Sequence, residues 1–295
     1  MKRLFALLLL PFAAVAAAPA LAKAAEPAFT SDRISVEVRG KGPDVVLIPG
    51  LSSSPEVWDS TVKALPGYRY HLVHVAGFAG KPAGANASGP VMAPVAAEIG
   101  RYMSAAKFAR PALVGHSLGG AWAMMVASQH PDQVSKVMVV DMLPYMGAMF
   151  AQNPTPENVR PVAEQIRQGI AGATGEARKT QLEQTMANMI RTESFRPIAL
   201  KHSLDSDPAA SAQAMYDLIT TDLRPELAKI KVPMTVLWAR APNAPVSDAQ
   251  MAQFYKLSFA NAPQAMLEQV PNSYHFIMWD EPAAFQAALK TFLAQ

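Results

Sequence analysis

Residues 114–120 read Val-Gly-His-Ser-Leu-Gly-Gly, which contains the pattern Gly-x-Ser-x-Gly. An apolar run at residues 111–114 precedes the pattern, and a helix-forming run at residues 121–129 follows it. A sharp turn from a strand into a helix strains the backbone of its middle residue, and flanking glycines keep other side chains away. The pattern therefore predicts a strand, a tight turn that presents the Ser117 hydroxyl, and a helix whose first amide groups face developing negative charge.

Strand and helix patterns alternate on both sides of this turn. Short apolar or alternating runs predict strands, and longer runs between them predict helices. The predicted strands cover residues 34–38, 44–48, 68–75, 111–114, 134–140, 234–238 and 265–270. This alternation predicts an α/β protein with a mostly parallel, doubly wound sheet that is covered on both faces.

The stretch from residue 142 to residue 228 interrupts the alternation, because it contains helical runs but no clear strand. Those runs cover residues 157–171, 176–191 and 209–220. We therefore divide the chain into a first core segment at 25–141, a helical insertion at 142–228 and a second core segment at 229–295. The insertion and its start carry many methionines and aromatic residues, namely Met142, Met146, Met149, Met186, Met189, Met215, Tyr145, Phe150 and Tyr216. Methionine adapts to irregular apolar ligands, so these residues are candidates to line a pocket, although plain helix packing explains them equally well.

The first 24 residues read as a secretory signal peptide. Lys2 and Arg3 precede an apolar run at residues 4–18, and Ala-x-Ala cleavage sites follow at 20–22 and 22–24. The apolar run is shorter than the roughly 20 residues that a membrane-spanning helix needs. We therefore expect a periplasmic or secreted protein with no stable membrane anchor after cleavage.

Composition narrows the classes of partner. The chain has 295 residues, a formal net charge of +3 and no cysteine. The positive charges of Lys2 and Arg3 belong to the start of the predicted signal peptide, and no cluster of Lys and Arg occurs elsewhere, so nucleic acid is not an expected partner. Without cysteine, disulfides and a thiol nucleophile are excluded. No histidine pair has metal-ligand spacing, and we expect neither a metal nor a cofactor.

Four short pieces of sequence resemble the α/β-hydrolase superfamily. They are Leu-Ile-Pro-Gly-Leu at 47–51, Gly-His-Ser-Leu-Gly at 115–119, His-Pro at 130–131 and Ser-Tyr-His-Phe at 273–276. The resemblance extends from about Val45 to the end of the chain, apart from the insertion. It implies an α/β-hydrolase fold in which residues 44–48 form the third strand and the insertion is a helical cap after the sixth strand.

The resemblance also implies a nucleophile and a base. Ser117 is a weak nucleophile until a base takes its proton, and the superfamily places that base in a loop after the last strand, where His275 lies. Of the other histidines, we expect His116 to point away from Ser117 and His202 to lie on the surface of the insertion.

The acid that orients His275 has two candidates. Most members of the superfamily carry it in the loop after residues 236–238, where this chain has the uncharged Asn243 and, a few residues later, Asp248. Some branches, haloalkane dehalogenases among them, carry it at the end of the preceding strand, where this chain has Asp141. Asp141 keeps the order Ser, Asp, His and points into the crevice at the strand ends, so we favour it and keep Asp248 as the alternative.

Two backbone amides are predicted to form an oxyanion hole. One belongs to Leu118, the residue after the nucleophile, and the other to Leu51, which follows Pro49 and Gly50. The site as a whole predicts a serine hydrolase that acts on a small, apolar ester or lactone through an acyl-enzyme. A catalytically inactive ligand-binding protein on the same fold is the alternative from another class, and C–C hydrolases, perhydrolases and acyltransferases share the same elbow.

Overall fold

The computed structural model describes residues 29–240 and 244–295, so the predicted signal peptide at 1–24 and Asn243 lie outside the described residues. Seven strands form one sheet: β1 (Ile34–Gly40), β2 (Asp44–Ile48), β3 (Arg69–Val75), β4 (Ala112–His116), β5 (Lys136–Val140), β6 (Met234–Trp238) and β7 (Ala265–Gln269). Their order across the sheet is β1-β3-β2-β4-β5-β6-β7. Strand β1 runs antiparallel to β3, and all other neighbours are parallel, which confirms the predicted mostly parallel sheet.

Helices connect these strands and cover the sheet. They are α1 (Asp59–Ala64), α2 (Met92–Ala105), α3 (Leu118–Gln129), α4 (Pro156–Gly172), α5 (Gly175–Met189), α6 (Arg196–Asp205), α7 (Pro208–Thr220), α8 (Asp248–Ser258), α9 (Ile277–Asp280) and α10 (Pro282–Ala294). Successive strand residues point to opposite faces, so Val46 and Ile48 of β2 pack with α2 and α3, whereas Val45 and Leu47 pack with α10. Both faces are therefore buried, as the continuous apolar strands predict.

The insertion consists of two helix pairs, α4 with α7 and α5 with α6. Ala214 and Leu218 of α7 join the apolar core on the α3 face of the sheet. Met186 of α5 and Ala199 of α6 join the core on the opposite face, where they share a cluster with residues of α9 and α10. The cap thus continues both cores above the carboxyl ends of the strands, which is where parallel sheets bind their ligands.

The structure corrects three details of the predicted insertion. It follows the fifth strand and not the sixth, because a single strand precedes Asp44–Ile48 in the described residues. It contains α6, which sequence reasoning missed because the apolar residues 198–200 are consecutive and show no helical period. Its expected end at residue 228 falls inside a 3₁₀ turn, Glu226–Lys229, whose Leu227 is fully buried in the core.

His202 is also placed differently from the prediction. We expected it on the surface, but only 6% of it is exposed, because α6 packs on the loop after β2. Its Nε2 atom lies 3.0 Å from Oγ of Ser54 and 2.9 Å from a carboxylate oxygen of Glu56. His202 therefore ties the cap to the same loop that carries Leu51. Among the helices of residues 29–240 and 244–295, none has the length and apolar character needed to cross a membrane.

Candidate active site

Ser117 lies in the tight turn between β4 and α3, with φ of 54° and ψ of −128°. Its amide donates a hydrogen bond of 2.9 Å to the carbonyl of Val140. The turn requires glycine on both sides: a Cβ at position 115 would lie 2.1 Å from the carbonyl oxygen of Gly119, and one at position 119 would lie 2.2 Å from that of Ile48. The turn therefore forms as predicted, and its strained residue is the serine.

His275 lies in the loop between β7 and α9, and Asp141 follows the last residue of β5. Nδ1 of His275 is 2.6 Å from Oδ2 of Asp141, with both side chains largely buried. The other carboxylate oxygen accepts hydrogen bonds from the Ala239 amide at 2.9 Å and from the Tyr255 hydroxyl at 3.3 Å. Because a carboxylate only accepts, Nδ1 of His275 carries its proton towards Asp141, and Nε2 is left with a lone pair.

Tyr255 remains a donor to Asp141 at all ordinary pH values. Burial raises the pKa of the Tyr255 phenol well above its usual value of 10, and the neighbouring Asp141 carboxylate adds to the shift. The hydroxyl therefore keeps its proton and stabilises the carboxylate.

Asp248, the alternative acid, is far less buried and has other partners. It is the first residue of α8, pairs with Arg240 and accepts a hydrogen bond of 2.9 Å from the Gln269 amide. The hydrogen bond with Arg240 holds the pKa of the Asp248 carboxyl below its usual range. The structure thus brings Asp141 to His275 and leaves Asp248 in a surface ion pair.

His116 contacts the base directly, which the sequence did not reveal. We expected its side chain to point away from Ser117; its ring centroid lies 4.7 Å from that of His275. Its Nε2 donates a hydrogen bond of 3.0 Å to the His275 carbonyl. Burial holds the pKa of His116 well below its usual value of 6.5, and charge on His275 lowers it further. His116 is therefore a neutral support beneath the loop of His275.

Ser117, Asp141 and His275 line one cavity of about 540 Å³. Seven methionines line it as well, namely Met142, Met146, Met149, Met186, Met189, Met215 and Met251. All six methionines predicted from the insertion are among them, whereas Tyr145, Phe150 and Tyr216 are not. Its volume falls in the range of roughly 300–1,000 Å³ that is typical of small-molecule sites.

The loop after β2 passes directly against the nucleophile. A Cβ placed on Gly50 would lie 3.0 Å from Cβ of Ser117, so only glycine permits this approach without displacement. Leu51 follows Gly50 and lines the cavity. Leu118 is the first residue of α3, where a backbone amide has no acceptor within the helix. Leu51 is thus the neighbour in sequence of Gly50, which packs against Ser117. Leu118 is the neighbour of Ser117 itself.

A metal-binding cluster is not found in the described part of the chain, where no three His, Asp or Glu side chains come together suitably. The ionisable side chains that line the cavity in this part are Asp141, Tyr255, His116 and His275. Ser117, His275 and Asp141 thus bring a hydroxyl, an imidazole and a carboxylate to the cavity.

Comparison with known proteins agrees with this geometry. The family model of the alpha/beta hydrolase fold matches residues 43–282. The chain belongs to the α/β-hydrolase family. It is 31% identical over 218 residues to the pimeloyl-[acyl-carrier protein] methyl ester esterase of Vibrio atlanticus, a match that covers 71% of this chain and 80% of that protein. Curated relatives of the chain are esterases and other hydrolases, so hydrolysis is the class of activity.

Solved structures of the family share the fold. The esterase EaEST of Exiguobacterium antarcticum aligns with a TM-score of 0.72 and 22% identity, covering 89% of this chain and 96% of that one. The enol-lactonase of Burkholderia xenovorans LB400 aligns with a TM-score of 0.70 and 19% identity over the same shares of the two chains. At these identities the likeness concerns the fold.

Proposed function

We propose that this protein is an exported serine hydrolase that cleaves carboxylic ester or lactone bonds through an acyl-enzyme on Ser117. One observation carries the proposal: Ser117 and the hydrogen-bonded pair of His275 and Asp141 open onto the same cavity from three different strand ends. Export is the part of the proposal that depends on residues 1–24 alone.

The first half of the reaction forms the acyl-enzyme. Oγ of Ser117 attacks the carbonyl carbon, and its proton passes to Nε2 of His275. Asp141 stabilises the resulting imidazolium through the 2.6 Å hydrogen bond to Nδ1. When the carbon–oxygen bond to the alcohol breaks, His275 returns the proton to the leaving oxygen. In a lactone the alcohol remains attached to the acyl group.

The second half releases the acid. Water gives a proton to Nε2 of His275 and attacks the acyl carbon, and the proton then returns to Oγ of Ser117. In both halves the carbonyl oxygen becomes negative, and the amides of Leu51 and Leu118 are the proposed donors to it. A single donor of this kind is typically worth on the order of 10²–10³ in turnover.

The lining of the cavity supports a neutral, apolar substrate. Thirteen of the described lining residues are methionine, leucine or isoleucine, and none of the described lining residues is a Lys or Arg that could pair with a substrate carboxylate. Methionine side chains adapt to chains of different shape. We therefore propose an uncharged acyl group as the part of the substrate that the cap encloses.

Replacing the nucleophile tests the proposal. We expect Ser117→Ala to lower the hydrolysis of p-nitrophenyl butanoate by at least roughly 10⁴-fold and to abolish labelling by a fluorophosphonate, because the acyl-enzyme is proposed to form on this hydroxyl. Ser128→Ala is the matched control, since Ser128 lies on the same helix and its hydroxyl donates to the carbonyl of Met125.

Two outcomes would contradict the proposal. Undiminished hydrolysis by Ser117→Ala would show that another residue is the nucleophile. A folded wild-type protein that neither reacts with the fluorophosphonate nor hydrolyses any ester or lactone would instead favour the ligand-binding alternative.

A further inference from the structure

Asp280, the last residue of α9, is a buried carboxylate that does not line the cavity. Only 4% of the residue is exposed. Oδ2 accepts hydrogen bonds from the amides of Tyr274 at 2.9 Å and Arg191 at 3.1 Å, and Oδ1 accepts one from the amide of Thr192 at 2.9 Å. A buried carboxylate is costly unless donors surround it, so these three backbone amides account for its burial.

The three donors come from two parts of the chain that are distant in sequence. Tyr274 immediately precedes His275, whereas Arg191 and Thr192 follow α5 of the cap. The guanidinium of Arg191 adds a hydrogen bond of 2.6 Å to the backbone carbonyl of Asp280. One side chain therefore joins the loop of the proposed base to the cap.

Neighbouring contacts hold the same loop. The Phe276 amide donates to the Met189 carbonyl at 3.3 Å. Trp279 stacks between Phe276, at 4.8 Å, and Phe195 of the cap, at 4.9 Å. His116 also donates a hydrogen bond to the His275 carbonyl. Each residue from 274 to 276 therefore has a backbone group that is hydrogen-bonded to a partner outside the loop.

We propose that Asp280 is a positioning residue that fixes the direction of His275 by tying its loop to residues 191 and 192 of the cap. The proposal rests on the proposed function, because it assigns the base to His275. Met186 and Met189 of α5 line the cavity, so one of the helices that form the cavity wall ends at this tie. The cap then does more than enclose substrate, since its α5 end is part of what aligns the base.

Asp217 provides a matched control. Its carboxylate also joins cap to core, because Oδ2 of this α7 residue accepts hydrogen bonds from the amides of Val91 at 2.7 Å and Met92 at 3.0 Å. Those amides begin α2 and do not belong to the His275 loop. Losing this tie loosens the cap without touching the base.

The experiment compares Asp280→Asn with Asp217→Asn on p-nitrophenyl butanoate. Asparagine keeps the size of the side chain but turns an NH₂ group towards a backbone donor. We expect Asp280→Asn to lower kcat on the order of 10²-fold with KM nearly unchanged, because a misaligned base affects the chemical step. The Nδ1 proton of His275 should shift or broaden in the ¹H NMR spectrum. Asp217→Asn should lower the Tm and leave kcat and that proton signal close to the wild type.

If Asp280→Asn fails to fold, Asp280→Glu replaces it, because the longer side chain keeps the charge but moves the carboxylate away from the amides of Tyr274, Arg191 and Thr192. A folded Asp280→Asn with wild-type kcat and an unchanged proton signal would overturn the proposal, as would an equal loss of kcat in Asp217→Asn. If Asp280→Glu is the variant used, wild-type kcat and an unchanged proton signal in that variant would overturn the proposal likewise. A wild type without esterase activity would refute the proposed function alone, because the proton signal still reports whether Asp280 orients His275.

Discussion

Asp141 is oriented by donors of three different kinds: an imidazole, a backbone amide and a phenol. The amide of Ala239 belongs to the residue after β6, so the neighbouring strand end fixes one carboxylate oxygen and leaves the other for His275. With φ of 51°, the backbone of Asp141 is in the left-handed region, as is that of Ser117. Such conformations persist only where surrounding contacts enforce them, and they cluster at functional sites.

Two substitutions separate the candidate acids. We expect Asp141→Asn to lower kcat by roughly 10³–10⁴-fold, because the amide no longer stabilises the imidazolium and can favour the wrong tautomer of His275. Asp248→Asn should retain nearly full activity, since its carboxylate faces Arg240 and Gln269. Steady-state kinetics on p-nitrophenyl butanoate measure both. A large loss in Asp248→Asn with none in Asp141→Asn would reverse the assignment.

At the scale of single residues, the sequence predicted those site residues that a short motif around them identifies. Ser117 and its glycines were evident from one turn, and His275 from the resemblance. The choice between Asp141 and Asp248 stayed open because it depends on which strand ends meet, and that is a property of the sheet. Tyr255 and His116 were missed, because their contacts with the site join segments more than a hundred residues apart.

At the scale of elements, the cap divides its two helix pairs between the two faces of the sheet. The α4 and α7 pair continues the core above α3, and the α5 and α6 pair continues the core above α10. The cavity lies between them and takes lining residues from both pairs. Each pair can therefore set a different wall of the substrate site.

Narrowing the α7 wall should change the preferred acyl length. We expect Met215→Trp to lower kcat/KM for p-nitrophenyl octanoate at least tenfold more than for the butanoate, because the larger side chain displaces the end of the longer acyl chain. Each methylene that loses its place in an apolar pocket costs roughly 1–3 kcal/mol of transition-state binding free energy. Met266→Trp is the matched control, because Met266 lies on β7, is half exposed and does not line the cavity. An unchanged ratio of the two activities in Met215→Trp would mean that the acyl chain does not reach α7.

The elements themselves were largely predictable, and the exceptions have physical causes. The strands around the elbow are short apolar runs, which identify buried parallel strands. Helix α6 was not recognised because its burial comes from contacts with the loop after β2 and not from an amphipathic pattern of its own. The pairing of α4 with α7 could not be inferred either, since local periodicity does not specify partners.

At the scale of the whole molecule, three histidines lie in surroundings that disfavour protonation of the imidazole ring. Burial lowers the pKa of His71, His74 and His116 below the usual value of 6.5. In the window just below pH 6.5 the unfolded chain therefore binds more protons than the folded protein. Stability consequently rises with pH through that window, and protonation favours unfolding as the pH falls.

Thermal melts test this dependence. We expect the Tm to fall as the pH is lowered from 7.5 to 5 and to change little between 7 and 8, as far as these histidines determine it. His74→Gln should flatten the dependence, because the glutamine amide can still donate to the Phe78 carbonyl, as His74 does at 2.9 Å, but does not titrate. A Tm that rises towards pH 5 would contradict the assigned burial of these side chains.

Glycine would adopt the backbone angles of residue 117 at little cost, whereas serine there stores on the order of 1–3 kcal/mol. A laboratory selection that rewards heat resistance alone should thus enrich glycine at this one position and discard the hydroxyl. Serine would persist in such a population only if catalytic turnover were selected as well. The residue found at position 117 therefore indicates whether selection acted on stability alone or also on activity.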